Sequence, residues 1–199
     1  RALQAQVEPH FLFNTLAHLD ALLQNDTLEE EQDLLDYFTR YLRGTLSTTS
    51  QEASPLADEL ARIEPWLRIL SIRFGQRLRW RIDASEQAAH CLLPPMLLQP
   101  LVENAIRHGL EPQVEGGRIT VRACTDANQR LVLEVCDTGA GLAAGAPATS
   151  SAPGRSFGLA QVRERLSTLY GDQGTIELIA QPAGGTCARV QFPYKSTNP

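Results

Sequence analysis

The stretch LLQPLVENAIRHG, residues 97–109, has the periodicity of an amphipathic helix with a distinctive polar side. Its apolar face is formed by residues at helical spacing: Leu98, Leu101, Val102 and Ala105. Asn104, Arg107 and His108 recur at i, i+3 and i+4 and therefore share another face. The Asn104 oxygen can ligate a hard cation such as Mg²⁺, and Arg107 and His108 can donate hydrogen bonds to phosphate. Taken alone, the stretch fits equally well a solvent-exposed face with a Glu103–Arg107 ion pair.

Residues 137–144, DTGAGLAA, follow a strand-like run and place an aspartate just before two closely spaced glycines. The spacing of Gly139 and Gly141 fits a dinucleotide-binding loop, but such a loop requires a helix to begin at once. Pro147 and a run of small residues follow instead, which argues against a Rossmann fold. Asp137 fits better as a carboxylate that accepts a hydrogen bond from an exocyclic amine such as that of adenine. The alternative is an aspartate that only stabilises a turn.

Two further glycine-containing segments lie nearer the C-terminus. In GRSFGLAQVRERL, residues 154–166, Gly158 lies in the first turn of a predicted helix, where free backbone N–H groups can hold phosphate. In GGTCARVQFP, residues 184–193, two glycines allow close packing at the start of a strand, and Thr186 offers a hydroxyl group. Each signal is weak by itself, and the order of the motifs along the chain carries the information.

The N-terminal residues 1–46 predict two helices. The first carries a leucine seam at alternating spacings of four and three, and Pro9 and His10 in the stretch QVEPHFLFNTL interrupt its pattern. Two helices of this length cannot bury their apolar faces alone. Two such hairpins from two chains would form a four-helix bundle.

The polar segment 47–55 marks a predicted boundary between a helical hairpin over residues 1–50 and a second domain over residues 51–199. In the second domain we expect helices over residues 54–74, 95–108 and 158–170. Ser54 is the predicted N-cap of the first of these helices, and Pro55 its first residue. RLRWRID alternates with a period of two and predicts a strand. Four further segments are also predicted strands: GRITVRACT, RLVLEVCD, GTIELIA and GTCARVQFP. The predicted fold class is therefore α+β, an α/β sandwich with a mostly antiparallel sheet and helices on one face.

Composition and charge exclude several function classes. The formal net charge of -5 argues against nucleic acid as a main partner, because phosphate backbones bind clustered cations. Lys195 is the only lysine, which excludes both a G-x-x-x-x-G-K-[ST] phosphate loop and the V-A-I-K strand of protein kinases. The four cysteines lack C-x-x-C spacing and predict buried thiols in a reducing compartment rather than disulfides or a zinc site. No apolar run reaches the ~20 residues of a membrane span, and the start at Arg1 within a helical pattern predicts a piece of a longer protein.

In their order, EPHFLFNTL, LLQPLVENAIRHG, DTGAG, FGLAQVRERLSTLYG and GGT resemble the cytoplasmic core of LytS-type sensor histidine kinases over nearly the whole chain. The resemblance implies a dimeric four-helix bundle made from the hairpin, followed by a GHKL-type (Bergerat) ATP-binding domain with a mobile lid over residues 142–157. It implies autophosphorylation on His10 with ATP and Mg²⁺. The implied partners are a second copy of the chain and the receiver domain of a response regulator. The implied location is the cytoplasmic side of an inner-membrane sensor protein, whose membrane region would precede residue 1.

The resemblance also assigns roles to single residues. His10 corresponds to the phosphoacceptor, Asn104 to the Mg²⁺ ligand and Asp137 to the residue that reads the adenine amino group. Gly139 and Gly141 match the first glycine box. The second glycine box and the threonine near the adenine are matched by Ser156, Gly158, Leu159 and Thr186.

Three positions depart from the family pattern. Ser156 replaces the first glycine of the usual Gly-x-Gly-Leu, and Gln161 stands where asparagine is common. Phe11 follows the histidine where many histidine kinases have an acid, so the candidate general bases are Glu8 and Glu103. These departures motivate an alternative function, a nucleotide-gated binding module without kinase activity.

Overall fold

The computed structural model describes residues 35–39, 53–94, 97–141 and 157–196. Contacts divide the chain into two compact units, residues 1–51 with 61–75 and residues 52–60 with 76–199. Several predicted features lie outside the described residues and stay predictions: His10, Glu8, Ser156, the first helix of the hairpin and the lid.

The described helices and strands alternate up to the fourth strand, after which two pairs of strands follow each other directly, on either side of the last helix. In sequence they are β1 (Ser54–Pro55), α1 (Leu56–Phe74), β2 (Leu78–Ala84), α2 (Glu86–Ala89), β3 (Leu92–Leu93), α3 (Leu98–Asn104), β4 (Gly117–Thr125), β5 (Arg130–Asp137), α4 (Phe157–Tyr170), β6 (Thr175–Ala180) and β7 (Thr186–Pro193). A π-helical segment, Ala105–Leu110, continues α3. Residues 35–39 are also helical, within the predicted second helix of the hairpin.

Helix α1 is amphipathic, as the sequence predicts for residues 54–74. The part of α1 that belongs to the first unit buries five apolar side chains: Ile63, Trp66, Leu67, Ile69 and Leu70. Glu64 and Arg68 lie on its exposed side, with side-chain atoms 3.5 Å apart at i, i+4. Among the described residues, no helix is both long enough and apolar enough to cross a membrane.

The first two residues of the predicted helix form a strand instead. β1 pairs antiparallel with β3, with Ser54 opposite Leu93 and Pro55 opposite Leu92. The backbone N–H of Leu56 donates to the carbonyl oxygen of Cys91 at 2.8 Å. The prediction of Ser54 as N-cap is therefore wrong, because pairing with a segment distant in sequence fixes its backbone as a strand.

Five strands form one mixed sheet in the order β2-β4-β5-β7-β6. β2 and β4 run parallel, and the three other neighbouring pairs are antiparallel. All five predicted strands are present, so the prediction of a mostly antiparallel sheet is confirmed. The last of them along the chain, β7, lies in the interior of the sheet between β5 and β6.

One face of the sheet is buried beneath helices. Along β5, Leu131, Leu133 and Val135 are at most 1% exposed, while the residues between them are partly exposed. Helices α3 and α4 contribute further buried side chains: Leu98, Leu101, Val102, Val162 and Leu166. The predicted α+β class with helices on one face of the sheet is confirmed.

The predicted α-helix over residues 95–108 changes to a wider turn halfway along. α3 ends at Asn104, and Ala105–Leu110 continue it as a π-helix. The regular α-helical spacing predicted for Asn104, Arg107 and His108 therefore does not hold. π-helical turns are rare and occur frequently at functional sites, and no hydrophobic period in the sequence distinguishes them from an α-helix.

Glu59 is a buried carboxylate near the start of α1, only 2% exposed. Its Oε2 accepts the N–H of Leu98, the first residue of α3, at 3.4 Å, and its Oε1 accepts the hydroxyl of Ser54 at 3.5 Å. The first N–H groups of a helix have no partner within the helix, and Leu97 at the N-cap position offers no side-chain hydrogen bond. Glu59 thus supplies from another element the acceptor that α3 lacks.

We expect Glu59→Ala to lower the free energy of unfolding by about 1–3 kcal/mol, because Leu98 and Ser54 would lose a buried acceptor. Equilibrium denaturant unfolding measures the effect. The matched control is Glu64→Ala, which removes an exposed carboxylate paired with Arg68. Its expected effect is no more than about 0.5 kcal/mol. Equal losses of stability in the two variants would contradict the role given to Glu59.

The cysteines differ from the prediction in one respect. A disulfide joins Cys136 on β5 to Cys187 on β7, so the expectation of thiols alone is wrong for these two. They lie opposite each other on neighbouring strands although 51 residues separate them in sequence, and spacing alone does not reveal such a pair. Cys91 and Cys124 are free cysteines.

Candidate functional site

Asp137 is the last residue of β5 and occupies an inward-facing position of that strand. The preceding inward positions hold core leucine and valine side chains, so alternation carries the carboxylate to the buried face, where it is 4% exposed. Its Oδ1 accepts the backbone N–H of Gly139 at 2.9 Å and that of Thr186 at 3.3 Å. A carboxylate can accept about four hydrogen bonds. Asp137 is therefore a buried acceptor whose orientation is fixed by two backbone donors.

Three glycines let backbone segments approach Asp137 closely. A Cβ atom added at Gly109, in the π-helical segment, would lie 2.5 Å from the Cγ of Asp137. A Cβ at Gly185, where φ is +92°, would collide with the backbone oxygen of Asp137, and one at Gly139 with that of Gly109. The N–H of Ala140 donates to the Gly109 oxygen at 3.1 Å. Three segments thus meet at one place: the π-helical segment, the end of β5 and the start of β7. Side chains at the three glycine positions would prevent this close approach.

We expect Gly109→Ala to destabilise the protein by about 1–3 kcal/mol, since the new methyl group overlaps the Asp137 side chain. Because that carboxylate must move, nucleotide affinity should fall as well. Denaturant unfolding and fluorescence titration with an ATP analogue measure the two effects.

Gly171→Ala is the control for that variant. Gly171 has open space around its Cα but a φ of +53°, so alanine costs only about 1–2 kcal/mol of backbone strain. We expect this control to lose stability and to keep its nucleotide affinity. An unchanged affinity in Gly109→Ala would show that the contact with Asp137 does not shape the site.

The polar residues of the helical segment differ in exposure. Asn104 ends α3 and is half-buried, Arg107 is exposed and His108 is half-buried. Gly109 follows directly and contacts Asp137. One short segment therefore connects the predicted magnesium ligand, the predicted phosphate donors and the predicted adenine-reading carboxylate.

Of the two candidate general bases, the structure describes only Glu103. Its carboxylate accepts a hydrogen bond from the side-chain amide of Gln99 at 2.7 Å, one helical turn earlier. Glu8 lies outside the described residues, as does His10. The choice between the two acids stays open.

The residues predicted from the second glycine box lie at the start of α4. A Cβ at Gly158 would be 3.3 Å from the Cβ of Pro100, so the first turn of α4 packs against α3. Leu159 is 8% exposed and belongs to the core. Gly141, from the first box, has a φ of +73°, a conformation that favours glycine. Ser156 is outside the described residues.

Gly109 and Gly185 are residues of the site that the sequence did not assign to it. The sequence predicts close packing at Gly185 but not its partner, whereas Gly109 stands out only as the end of the motif ENAIRHG. Both matter through contacts with Asp137, which is distant from each of them in sequence. A glycine directly beside a predicted site residue is the only local signal.

Another group of side chains that could ligate a metal ion lies on β5 and β7. The potential ligand atoms of Glu134, Cys136 and Cys187 all lie within 4.8 Å of one another. Both sulfur atoms are engaged in the disulfide, and Glu134 Oε1 is 2.7 Å from Arg189 Nε. In this state the cluster offers no thiolate to a metal.

Two family models match the chain. A model described as "Histidine kinase" matches residues 1–78. A model described as "Histidine kinase-, DNA gyrase B-, and HSP90-like ATPase" matches residues 95–196, just over half of the chain. The second match contains every element that meets at Asp137.

The relatives extend over nearly the whole chain. Sensor histidine kinase BtsS of Escherichia coli (strain K12) is 33% identical over 195 residues, which cover 98% of this chain and 33% of the relative. Sensor protein LytS of Enterococcus faecalis (strain ATCC 700802 / V583) is 32% identical over 202 residues, covering 98% and 34%. The chain thus spans about a third of the length of these relatives.

A solved structure shares the fold. The histidine kinase domain of the blue-light activated histidine kinase EL346 from Erythrobacter litoralis superposes with a TM-score of 0.54 and 16% identity. The match covers 96% of this chain and 91% of that domain.

Proposed function

Because this chain belongs to the family of histidine kinase-, DNA gyrase B- and HSP90-like ATPases, we propose that it is the ATP-dependent core of a two-component sensor histidine kinase. It autophosphorylates on His10 and passes the phosphoryl group to an aspartate of a response regulator. The observation that carries the proposal is the buried Asp137 carboxylate, held by two backbone donors inside the matched region. The similarity of nearly the whole chain to named sensor histidine kinases supports it.

Asp137 recognises the adenine base. Its carboxylate accepts a hydrogen bond from the exocyclic amine, while the N–H groups of Gly139 and Thr186 hold it in place. Guanine carries a carbonyl oxygen at the corresponding position, and two acceptors facing each other in a buried site are unfavourable. The site is therefore selective for ATP over GTP.

The polar residues of the helical segment would hold the phosphate groups and their cation. Asn104 provides an oxygen ligand for Mg²⁺, and Arg107 and His108 donate hydrogen bonds to phosphate oxygens. The first turn of α4, which contains Gly158, adds backbone N–H groups. When bound there, Mg²⁺ would supply positive charge to offset that of the phosphate groups.

In the first chemical step, a neutral ring nitrogen of His10 attacks the γ-phosphorus of ATP. A nitrogen–phosphorus bond forms, the bond to the bridging oxygen breaks, and ADP leaves. The ring gives up a proton to a base, for which Glu8 and Glu103 are the candidates. The receiver-domain aspartate then attacks the phosphohistidine, which yields an acyl phosphate and restores the histidine.

Incubation of the purified chain with Mg²⁺ and γ-labelled ATP tests the proposal. We expect label on the protein that is stable to base and lost in acid, the behaviour of phosphohistidine. Tight nucleotide binding without any such label would favour the alternative, a nucleotide-gated binding module. The absence of both binding and label would contradict either function.

The proposal assigns different roles to the two domains of the chain. Residues 1–50 form the hairpin that carries His10 and dimerises as a four-helix bundle, and residues 51–199 carry the ATP-binding domain. Leu35, in the described helical segment 35–39, is 54% exposed in the single chain and leaves apolar surface for a partner.

We expect Leu35→Glu to shift the chain from dimer toward monomer in sedimentation velocity, because the variant places a charge in an apolar contact. The matched control is Leu169→Glu. Leu169 is also 54% exposed but lies on α4, outside the hairpin. Dimers of equal strength in the two variants would contradict a dimer contact through Leu35.

The chain is the cytoplasmic part of a membrane sensor, in which a preceding region supplies the stimulus. The basis for this is the similarity to sensor proteins about three times as long as this chain. The receiver domain of a response regulator is the partner, and nucleic acid is not, because the chain has a net charge of -5.

A further inference from the structure

Cys136 and Cys187 face each other across two neighbouring strands. They are direct partners in the antiparallel register of β5 and β7, and a disulfide joins them. Both belong to the face of the sheet opposite to the helices. Cys136 is partly exposed, whereas Cys187 is 3% exposed. A thiol reagent in solution therefore reaches the sulfur of Cys136 first.

Each cysteine is adjacent in sequence to a residue of the proposed nucleotide site. Cys136 directly precedes Asp137, and Cys187 directly follows Thr186. The Thr186 N–H donates to Asp137 Oδ1 at 3.3 Å, one residue away from the disulfide on each strand. A change in the separation of the two sulfur atoms therefore acts on the strand ends that carry this hydrogen bond.

We infer that Cys136 and Cys187 are a reversible thiol–disulfide modification site that couples nucleotide affinity to the redox state of the surroundings. The inference rests on the proposed function, which places the chain in the cytoplasm. Disulfides there are usually transient and are involved in catalysis or redox sensing rather than in maintaining the fold.

The chemistry is a thiol–disulfide exchange with a low-molecular-weight disulfide such as glutathione disulfide. The Cys136 thiolate attacks this oxidant and forms a mixed disulfide, releasing one glutathione thiolate. The Cys187 thiolate then attacks the Cys136 sulfur and releases the second glutathione. The protein loses two protons and two electrons, and one molecule of oxidant becomes two thiols. A dithiol reductant reverses both exchanges.

The two remaining cysteines lack this arrangement. Cys91 is fully buried. Burial raises the pKa of its thiol, against a smaller lowering by a hydrogen bond with the Lys195 backbone. A buried protonated thiol reacts slowly. Cys124 is exposed on β4 and free, which makes it the natural control.

Reduction should weaken nucleotide binding. Two thiols cannot approach each other as closely as two bonded sulfur atoms, so the ends of β5 and β7 separate slightly when the disulfide opens. The hydrogen bond between Thr186 and Asp137 then lengthens. We expect affinity for an ATP analogue to fall about three- to tenfold, the factor that corresponds to the loss of one hydrogen bond.

The first measurement tests whether the two cysteines interconvert between the disulfide and the dithiol. The full chain is treated with glutathione disulfide or with dithiothreitol, quenched with acid, unfolded in denaturant so that the buried Cys187 is accessible, alkylated, and analysed by intact and peptide mass. We expect Cys136 and Cys187 to escape alkylation only after oxidation, in the wild type and in Cys124→Ser alike. Cys136→Ser should leave Cys187 open to alkylation. Full alkylation of both cysteines in the oxidised wild type would overturn the inference.

The second measurement asks whether the pair affects the site. The affinity of the oxidised wild type and of Cys124→Ser should exceed that of the reduced proteins, whereas Cys136→Ser should have one affinity under both conditions. Equal affinities of the oxidised and reduced wild type would overturn the coupling. Failure to bind nucleotide in both states would instead contradict the proposed function. In that case the alkylation result alone would decide whether the modification site exists, because that measurement requires no nucleotide.

Discussion

His10→Gln is expected to abolish the acid-labile, base-stable labelling of the chain by γ-labelled ATP and to leave ATP affinity unchanged. Glutamine keeps a polar side chain of similar reach but offers no nucleophilic ring nitrogen, so no nitrogen–phosphorus bond can form. The effect should be complete rather than partial, because no other step in the proposed mechanism replaces the lost nucleophile. Filter-binding of labelled protein and fluorescence titration with an ATP analogue measure the two quantities.

The chain offers a matched control in His18, eight positions further along the same predicted helix. His18→Gln makes the same chemical change and should retain labelling close to that of the wild type. Labelling of His10→Gln at the wild-type level would refute the assignment of the phosphoacceptor. Loss of labelling in both variants, with nucleotide binding intact, would point to a structural effect on the hairpin instead.

Asp137→Asn should lower ATP affinity roughly a hundredfold, which corresponds to ~3 kcal/mol, the upper range for a hydrogen bond to a charged group. The carboxylate accepts from Gly139 and Thr186 at its Oδ1 and, in the proposed complex, from the adenine amine. An asparagine side chain has one acceptor and one donor end, so either the adenine amine or the two backbone N–H groups, which share Oδ1, must face its NH2 group. Isothermal titration with ATP and with GTP measures the loss and the expected decrease in discrimination between the bases.

Asp126→Asn is the control for that change. Asp126 lies in the connection between β4 and β5, and its Oδ1 also accepts two backbone N–H groups, those of Asn128 and Arg130, at 2.8 and 2.9 Å. The substitution removes the same charge from a similar turn, away from the strand end that carries Asp137. We expect it to affect stability slightly and ATP affinity not at all. If Asp137→Asn and the wild type bound ATP with equal affinity, Asp137 would not be a nucleotide-binding residue.

The sheet and its carboxylate can be predicted because both follow from local alternation. Leu131, Leu133 and Val135 set an inward-facing register on β5, and Asp137 falls at the next inward position. A charged group at an inward-facing position just before two glycines favours a binding residue, although the same residues also fit a turn aspartate. The predicted strand bounds of GRITVRACT and RLVLEVCD also agree with β4 and β5 for the same reason.

The features that prediction missed depend on contacts between distant segments. Gly109 and Gly185 are needed only because each meets Asp137, and Ser54 is a strand residue only because it pairs with Leu93. The change from α- to π-helix after Asn104 leaves the apolar spacing too similar to detect. The pairing of the two cysteines requires the register of β5 and β7, which no single segment encodes.

The interior position of β7 has a consequence for biosynthesis. β5 and β6 are both made before β7, yet each pairs with it, so neither can complete its pairing while residues 186–193 are still inside the ribosome. Asp137 can accept the N–H of Thr186 only after these residues have left the ribosome. In the proposed site, a nascent chain that contains every upstream motif would still lack one of the donors that orient Asp137 for ATP. Premature termination shortly before Thr186 would yield an inactive product with unpaired strand edges, a species that chaperones and proteases recognise.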